Sequence, residues 1–245
     1  MHPYLDWTGP IAFAHRGGTS EHPENTVPAF RHAVELGYVY LETDVHATSD
    51  GVLVAFHDTD LSRTCGRPGT IGELPISEVA AALVDGREPI PRFEELLEEF
   101  PEARFNIDCK ADSAVGPLVE SIERLGCLDR ICLGSFSDRR LRRLRRELGD
   151  GLCSSFGPAQ VSSLVFTGRV PWGGQVAQVP VKAGPVTVVT ERTVAAAHRR
   201  GLQVHVWTID DHDEMHRLLD LGVDGIMTDH PARLKDVFSA RGIWH

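Results

Sequence analysis

The chain has 245 residues, of which 42% are hydrophobic and 24% charged, and its formal net charge is -10. This length suffices for one large domain, whereas two independent domains would each be small. The negative charge argues against a nucleic-acid partner, because phosphate backbones require clustered Lys and Arg. No segment reaches the roughly 18 uninterrupted apolar residues of a membrane span. The first ten residues also lack the pattern of a secretory signal. We therefore expect a cytoplasmic protein, and no pattern specifies an oligomeric state.

The five cysteines indicate a reducing compartment rather than a disulfide framework. Their number is odd and none stands in a CxxC spacing: Cys65, Cys109, Cys127, Cys132 and Cys153. Buried reduced thiols are the expected state, and a zinc site is disfavoured.

The first chemically rich stretch spans residues 11–58. Ile11–Ala14 is a short apolar run that ends at His15 and Arg16, followed by two glycines. Such a run predicts a buried parallel strand whose carboxyl end presents polar side chains. Asn25 or Thr26 can then cap a helix, so the stretch begins with a βα unit.

The second strand, predicted at Val39–Val45, carries two carboxylates. Glu42 and Asp44 are two residues apart, which places them on one face of a strand. Because two carboxylates directed at one point repel each other, a divalent cation between them is the simplest relief. A further strand, Val52–Phe56, leads to His57. Two imidazoles and two carboxylates are therefore expected at one mouth.

These motifs, in this order, resemble the glycerophosphodiester phosphodiesterase family. They are HRGG at 15–18, PENT at 23–26, the Glu-x-Asp pair at 42–44 and His-Asp at 57–58. The resemblance is specific over residues 11–66 and weaker beyond. It implies an enzyme of lipid metabolism that splits a small-molecule phosphodiester into glycerol 3-phosphate and an alcohol.

The polar segment that follows predicts a small inserted lobe at residues 59–90, with a helix over Ile76–Leu83. The next strand, Arg104–Lys110, alternates so that Asn106, Asp108 and Lys110 face one way. The family usually has glutamate where this chain has Asp108, and the resemblance implies a metal ligand there.

The whole chain, 1–245, alternates strand and helix signals. Strands begin near residues 11, 39, 104, 130, 152, 175, 202 and 224, which predicts a single (β/α)8 TIM barrel with the lobe as a short insertion over its C-terminal mouth. Because such barrels work from their C-terminal face, the polar strand ends should meet there. The Arg-rich helix at 138–148 is interpreted as a solvated face.

The expected site has three parts. Glu42, Asp44 and Asp108 would hold one divalent cation, Mg2+ or Ca2+, which carboxylate oxygens favour over zinc. Arg16 and Lys110 would bind the phosphate, with Gln178 either a capping amide or a substrate contact. Trp207, by the resemblance, would pack against the glycerol. His15 and His57 would divide the base and acid roles, with His15 as the base.

Several alternatives remain at this stage. The nucleophile is either water or the glycerol hydroxyl next to the phosphate, and the substrate is alternatively a lysophospholipid or another long-chain phosphodiester. Lys110 could instead pair with a carboxylate, or act as a Schiff-base amine in an aldolase-type barrel. A non-catalytic phosphoester-binding barrel is the third possibility. Asp229 is interpreted as structural, and the family commonly has asparagine at Asp210.

Overall fold

A computed structural model describes residues 2–169 and 173–245 as a barrel of eight parallel strands surrounded by helices. The strands are β1 (Ile11–His15), β2 (Tyr40–Ala47), β3 (Arg104–Cys109), β4 (Ile131–Gly134), β5 (Cys153–Ser154), β6 (Val176–Val179), β7 (Gln203–Val206) and β8 (Gly225–Thr228). The main helices are α1 (Val27–Glu35), α2 (Phe93–Glu99), α3 (Val115–Leu125), α4 (Asp138–Leu148), α5 (Pro158–Thr167), α6 (Glu191–His198), α7 (His212–Asp220) and α8 (Pro231–Ala240). The predicted (β/α)8 barrel is confirmed.

The barrel closes by hydrogen bonds between β5 and β6. Parallel ladders join β5, β4, β3, β2, β1, β8, β7 and β6 in that order. The two ends of this series meet where Gln175 N donates to Ser154 O at 2.9 Å and Phe156 N donates to Val176 O at 2.9 Å. All eight strands therefore direct their carboxyl ends to one mouth.

The opposite end of the barrel is filled by aromatic side chains. Tyr4, from a 3-10 turn at Pro3–Leu5, packs edge-on against Tyr40, with ring centroids 5.3 Å apart. Arg104 donates to the Tyr4 carbonyl at 3.1 Å, and Phe13 belongs to the same buried cluster. This packing supports the strands beneath the mouth.

The 59–90 segment differs from its prediction in one element. The helix expected over Ile76–Leu83 ends at Val79, and Leu83–Val84 instead pairs with Glu88–Pro89 in an antiparallel hairpin. The reason is the turn between them, where Asp85 and Gly86 have φ angles of 51° and 67°. Left-handed conformations at both positions are typical of a tight hairpin turn and not of a helix.

The Arg-rich helix α4 was also only partly predicted. Arg140 donates to the Cys109 carbonyl at 2.8 Å, and Arg145 to the Ser155 carbonyl at 2.6 Å. Two of the arginines therefore tie α4 to strand ends rather than facing solvent.

All five cysteines are free, and four of them are buried. Within the described residues, no helix has the length and apolar character needed to span a membrane.

Candidate active site

A cavity of about 410 Å³ opens at the C-terminal mouth of the barrel. Its lining contains all nine residues predicted for the site: His15, Arg16, Glu42, Asp44, His57, Asp108, Lys110, Gln178 and Trp207. The structure therefore brings together every side chain that the sequence placed at a strand end.

Strand register explains how the acidic groups meet. In the parallel ladders, Glu42 of β2 lies beside His15 of β1 and beside Asn106 of β3. Asp44 lies beside Asp108 one level closer to the mouth. Because alternate residues of a strand share a face, all of these side chains point into the barrel.

The turn after β1 shapes the site through its backbone. Arg16 has a φ angle of 53°, and its N–H donates to Glu42 Oε2 at 3.1 Å. A Cβ atom on Gly18, which has a φ of 90°, would lie 2.6 Å from Pro231. A side chain at that position would collide with the start of α8, so the HRGG turn requires glycine there.

The Asp44 carboxylate, which lies in the cavity wall, has three polar partners. It lies 2.8 Å from Lys110 Nζ and 3.2 Å from Arg16 Nε, and accepts a hydrogen bond from Asn25 Nδ2 at 3.0 Å. Burial alone would raise the pKa of Asp44, but Lys110 and Arg16 outweigh it and lower the pKa. Asp44 is therefore ionised, and the positive charge beside it comes from side chains of the protein.

The charges of the other two carboxylates, Glu42 and Asp108, are less well compensated by neighbouring groups. Burial, together with the neighbouring charge of Asp44, raises the pKa of Glu42 to about 7. Asp108 pairs through Oδ2 with Lys110 at 2.7 Å, whereas its buried Oδ1 has no hydrogen-bond partner. Over residues 2–169 and 173–245, no three His, Cys, Asp or Glu side chains are arranged to hold a metal ion. Lys110 Nζ stands between Asp44 and Asp108.

Lys110 is an ammonium in this setting. Burial would lower the pKa of Lys110, but the charges of Asp44 and Asp108 exceed that effect and raise the pKa above its usual value. A Schiff-base lysine needs a neutral amine with a depressed pKa. The environment of Lys110 therefore argues against the aldolase-type alternative.

Both imidazoles are held at Nδ1 by a carboxylate. Asp229 Oδ1 lies 2.7 Å from His15 Nδ1, and Asp58 Oδ1 lies 2.6 Å from His57 Nδ1. This leaves Nε2 of each ring for contacts in the cavity, which is also the arrangement of carboxylate–imidazole pairs in enzymes that transfer protons. Burial would lower the pKa of His15, whereas Glu42 and Asp229 raise it by a larger amount.

Asp229 was interpreted as structural from the sequence, but it contacts a predicted site residue. It comes from the turn after β8, 214 positions from His15. Asp210 supports this turn by accepting from Thr228 Oγ1 at 2.9 Å and from Asp229 N at 2.8 Å. The only signal for this contact was the predicted closed barrel, in which β1 and β8 are neighbours and their carboxyl ends lie side by side.

The wall opposite the acidic groups is largely apolar. Trp207 packs edge-on against Phe136, with ring centroids 5.6 Å apart. The wall continues through Phe156, Pro158 and Val161, near the start of α5. Gln178 donates to Asn106 Oδ1 at 2.6 Å and also lines the cavity. The cavity thus has one charged half and one apolar half.

Together the fold and these side chains define a (β/α)8 barrel with a cavity of charged and imidazole side chains at the carboxyl ends of its strands. Residues 15–164 and 172–233 match the model of the glycerophosphoryl diester phosphodiesterase family. The chain belongs to this family, as the motifs in its first 66 residues suggested.

Two curated relatives span nearly the whole chain. "Probable glycerophosphodiester phosphodiesterase 2" of Mycobacterium tuberculosis is 42% identical, over 98% of this chain and 95% of its own. Lysophospholipase D GDPD1 of Homo sapiens is 28% identical, over 91% of this chain and 84% of its own.

Two solved structures share the fold. A crystal structure from Silicibacter pomeroyi superposes with a TM-score of 0.83 at 24% identity and covers 100% of both chains. A phosphodiesterase of Oleispira antarctica, solved in complex with the product sn-glycerol-3-phosphate, gives a TM-score of 0.79 at 21% identity, over 94% of this chain and 97% of its own.

Replacing Asp229 tests whether its contact with His15 matters for activity. Asp229→Asn keeps the shape of the side chain but removes the charge that orients the ring, so we expect kcat to fall about 10- to 100-fold. The matched control is Asp213→Asn, since Asp213 also contacts a histidine, His212 at 3.2 Å, but is almost fully exposed. Equal phosphodiesterase rates in the two variants would show that Asp229 is only structural.

Proposed function

We propose that the protein hydrolyses glycerophosphodiesters to glycerol 3-phosphate and an alcohol. The observation that carries this proposal is that two carboxylate-held imidazoles and the cations Arg16 and Lys110 line one cavity. A phosphodiester needs its charge neutralised, a nucleophile deprotonated and a leaving oxygen protonated. The names of the Mycobacterium tuberculosis and Oleispira antarctica proteins support the same substrate class.

A divalent cation completes the charge balance of the proposed site. With both histidines neutral and Glu42 ionised, as a bound cation would favour despite its pKa of about 7, Glu42, Asp44 and Asp108 bring three negative charges and the phosphodiester one, against two positive charges from Arg16 and Lys110. Two negative charges remain, and one divalent cation would neutralise them. The unpartnered buried oxygen of Asp108 fits a metal ligand. Lys110 Nζ would have to leave its position between Asp44 and Asp108 before the three carboxylates could surround an ion. An all-oxygen ligand set favours Mg2+ or Ca2+. When bound, the ion would polarise the phosphoryl oxygens.

The two histidines then divide the proton transfers. We assign His15 as the base and His57 as the acid, because their side chains are 14% and 33% exposed, respectively. The departing alcohol leaves toward solvent, so its proton donor should stand on the more open side. His15 can deprotonate either water or the glycerol hydroxyl adjacent to the phosphate; in the second case water then opens a cyclic phosphate.

Substitution of His57 separates the two proton-transfer roles. We expect His57→Ala to lower kcat for glycerophosphocholine by about 10²- to 10⁴-fold, the usual contribution of such a group. A substrate that releases p-nitrophenol needs no protonated leaving group, so the loss should shrink for it. The corresponding loss in His15→Ala should stay the same for both substrates. The opposite pattern, measured from steady-state rates, would exchange the two roles.

Metal binding can be measured apart from catalysis. We expect a chelator to abolish release of glycerol 3-phosphate, and Mg2+ or Ca2+ to restore it. The same ion should raise the Tm of the wild-type protein, because a ligand that binds only the folded state stabilises it. Asp108→Asn should weaken this shift, whereas Asp150→Asn, at an exposed position in the turn after α4, should leave it intact. Full activity in chelator would refute the metal assignment.

A second candidate substrate is a lysophospholipid, and the apolar half of the cavity favours it. Lys110 Nζ lies 5.8 Å from the ring centroid of Phe136, so the apolar wall begins beside the proposed phosphate position. From there the wall extends past Trp207 to Val161. A chain attached to the glycerol could lie along this wall, and cleavage would give an acylglycerol phosphate and the head-group alcohol. The human relative is named for this activity.

Val161→Asp distinguishes the two substrates. A carboxylate in the wall would disturb an acyl chain, and each methylene that loses its apolar contact costs about 0.8 kcal/mol. If the chain binds there, kcat/KM for lysophosphatidylcholine should fall at least about tenfold, against less than about threefold for glycerophosphocholine. Val34→Asp, on the outer surface of α1, is the control and should change neither value. Equal losses for both substrates would remove the acyl-chain assignment.

A further inference from the structure

Arg63 lies outside the cavity but forms ion pairs with two carboxylates, Asp58 and Glu24, that contact residues of its lining. It is in the short helix Ser62–Cys65, at the beginning of the 59–90 segment. Its Nε donates to Asp58 Oδ2 at 2.5 Å. Its two Nη atoms donate to the two oxygens of Glu24, at 2.9 and 2.6 Å. One guanidinium therefore spans two loops that come from different parts of the chain.

Each of these carboxylates holds one side chain of the proposed site. The second oxygen of Asp58 lies 2.6 Å from His57 Nδ1. Glu24 also accepts a hydrogen bond from Arg16 Nη1 at 3.0 Å. Burial would raise the pKa of Glu24, but Arg63 and Arg16 together lower it. Arg63 is thus linked through Asp58 to His57, the proposed proton donor. It is also linked through Glu24 to Arg16, a proposed phosphate-binding residue.

We propose that Arg63 is a positioning residue that fixes His57 through Asp58 and Arg16 through Glu24. This inference rests on the proposed function only for its kinetic test, because the contacts of Arg63 with Asp58 and Glu24 do not depend on which reaction is catalysed. A planar guanidinium suits the task, because its rigid fork can hold two carboxylates at fixed angles, which a lysine ammonium cannot do.

A role in stability alone is a weaker explanation. The Arg63 side chain is 49% exposed, and ion pairs at such exposure contribute little to folding. The 59–90 segment has its own buried hydrophobic cluster, which includes Leu61, Ile71 and Val79. This cluster holds the segment in place without Arg63. Removal of the guanidinium should therefore leave the fold intact and release the two carboxylates.

The test compares Arg63→Met with Arg87→Met, a control at an exposed position of the same segment. We expect Arg63→Met to lower kcat about 10- to 100-fold, the usual effect of losing an orienting partner, with KM changed less than about threefold. Arg63→Lys should lie between the variant and the wild type. Combining Arg63→Met with Asp58→Asn should cost less than the product of the separate losses, because the part of the Arg63 effect that passes through Asp58 to His57 is already lost in Asp58→Asn.

A second readout needs no turnover. The His57 Nδ1–H proton should give a downfield nuclear magnetic resonance signal while Asp58 holds the ring, and Arg63→Met should shift or broaden it, whereas Arg87→Met should not. An unchanged signal with wild-type kcat in Arg63→Met would overturn the proposal, and so would strictly multiplicative losses in the double variant. A wild-type protein inactive on every phosphodiester would refute the proposed function but leave this signal as the test of Arg63.

Discussion

The burial of the Asp44 carboxylate is the constraint on which the active-site end of the barrel depends. Its side chain is only 2% exposed, and an ionised carboxylate in such a place is tolerated only with well-placed partners. Lys110, Arg16 and Asn25 supply them from the end of β3 and the loop after β1. The same ion pairs fix the directions of Lys110 and Arg16. The contacts that compensate the buried charge of Asp44 are therefore the same contacts that hold two cations in place for an anionic substrate.

Much of this arrangement could be predicted because its signals are local. The spacing of Glu42 and Asp44 placed both on one face of a strand, and the apolar run before His15 marked a strand end. Eight such strand signals, separated by helices, are sufficient for a closed barrel. Closure then requires that strand ends far apart in sequence meet at one mouth. This explains why even Gln178 and Trp207 were placed correctly.

The missed features depend on contacts between distant segments. Asp229 meets His15 between the neighbouring strand ends of β1 and β8, and Arg63 reaches Glu24 from 39 positions away. No periodicity within one element reports such pairs. Arg145 shows the same limit, since the charge pattern of α4 resembles a solvated face although this side chain bonds the Ser155 carbonyl. Asp85 adopts a left-handed conformation that helix propensity does not register.

The two halves of the cavity come from two consecutive stretches of the chain. Its charged residues lie between positions 15 and 110, whereas the aromatic and aliphatic wall lies between positions 136 and 207. Substitutions within the wall could therefore exchange one half and leave the other unaltered, whereas a crossover near α3 would also replace Asp229, which holds His15. Descendants of such a barrel could diversify the molecules that they accept while inheriting the reaction unchanged.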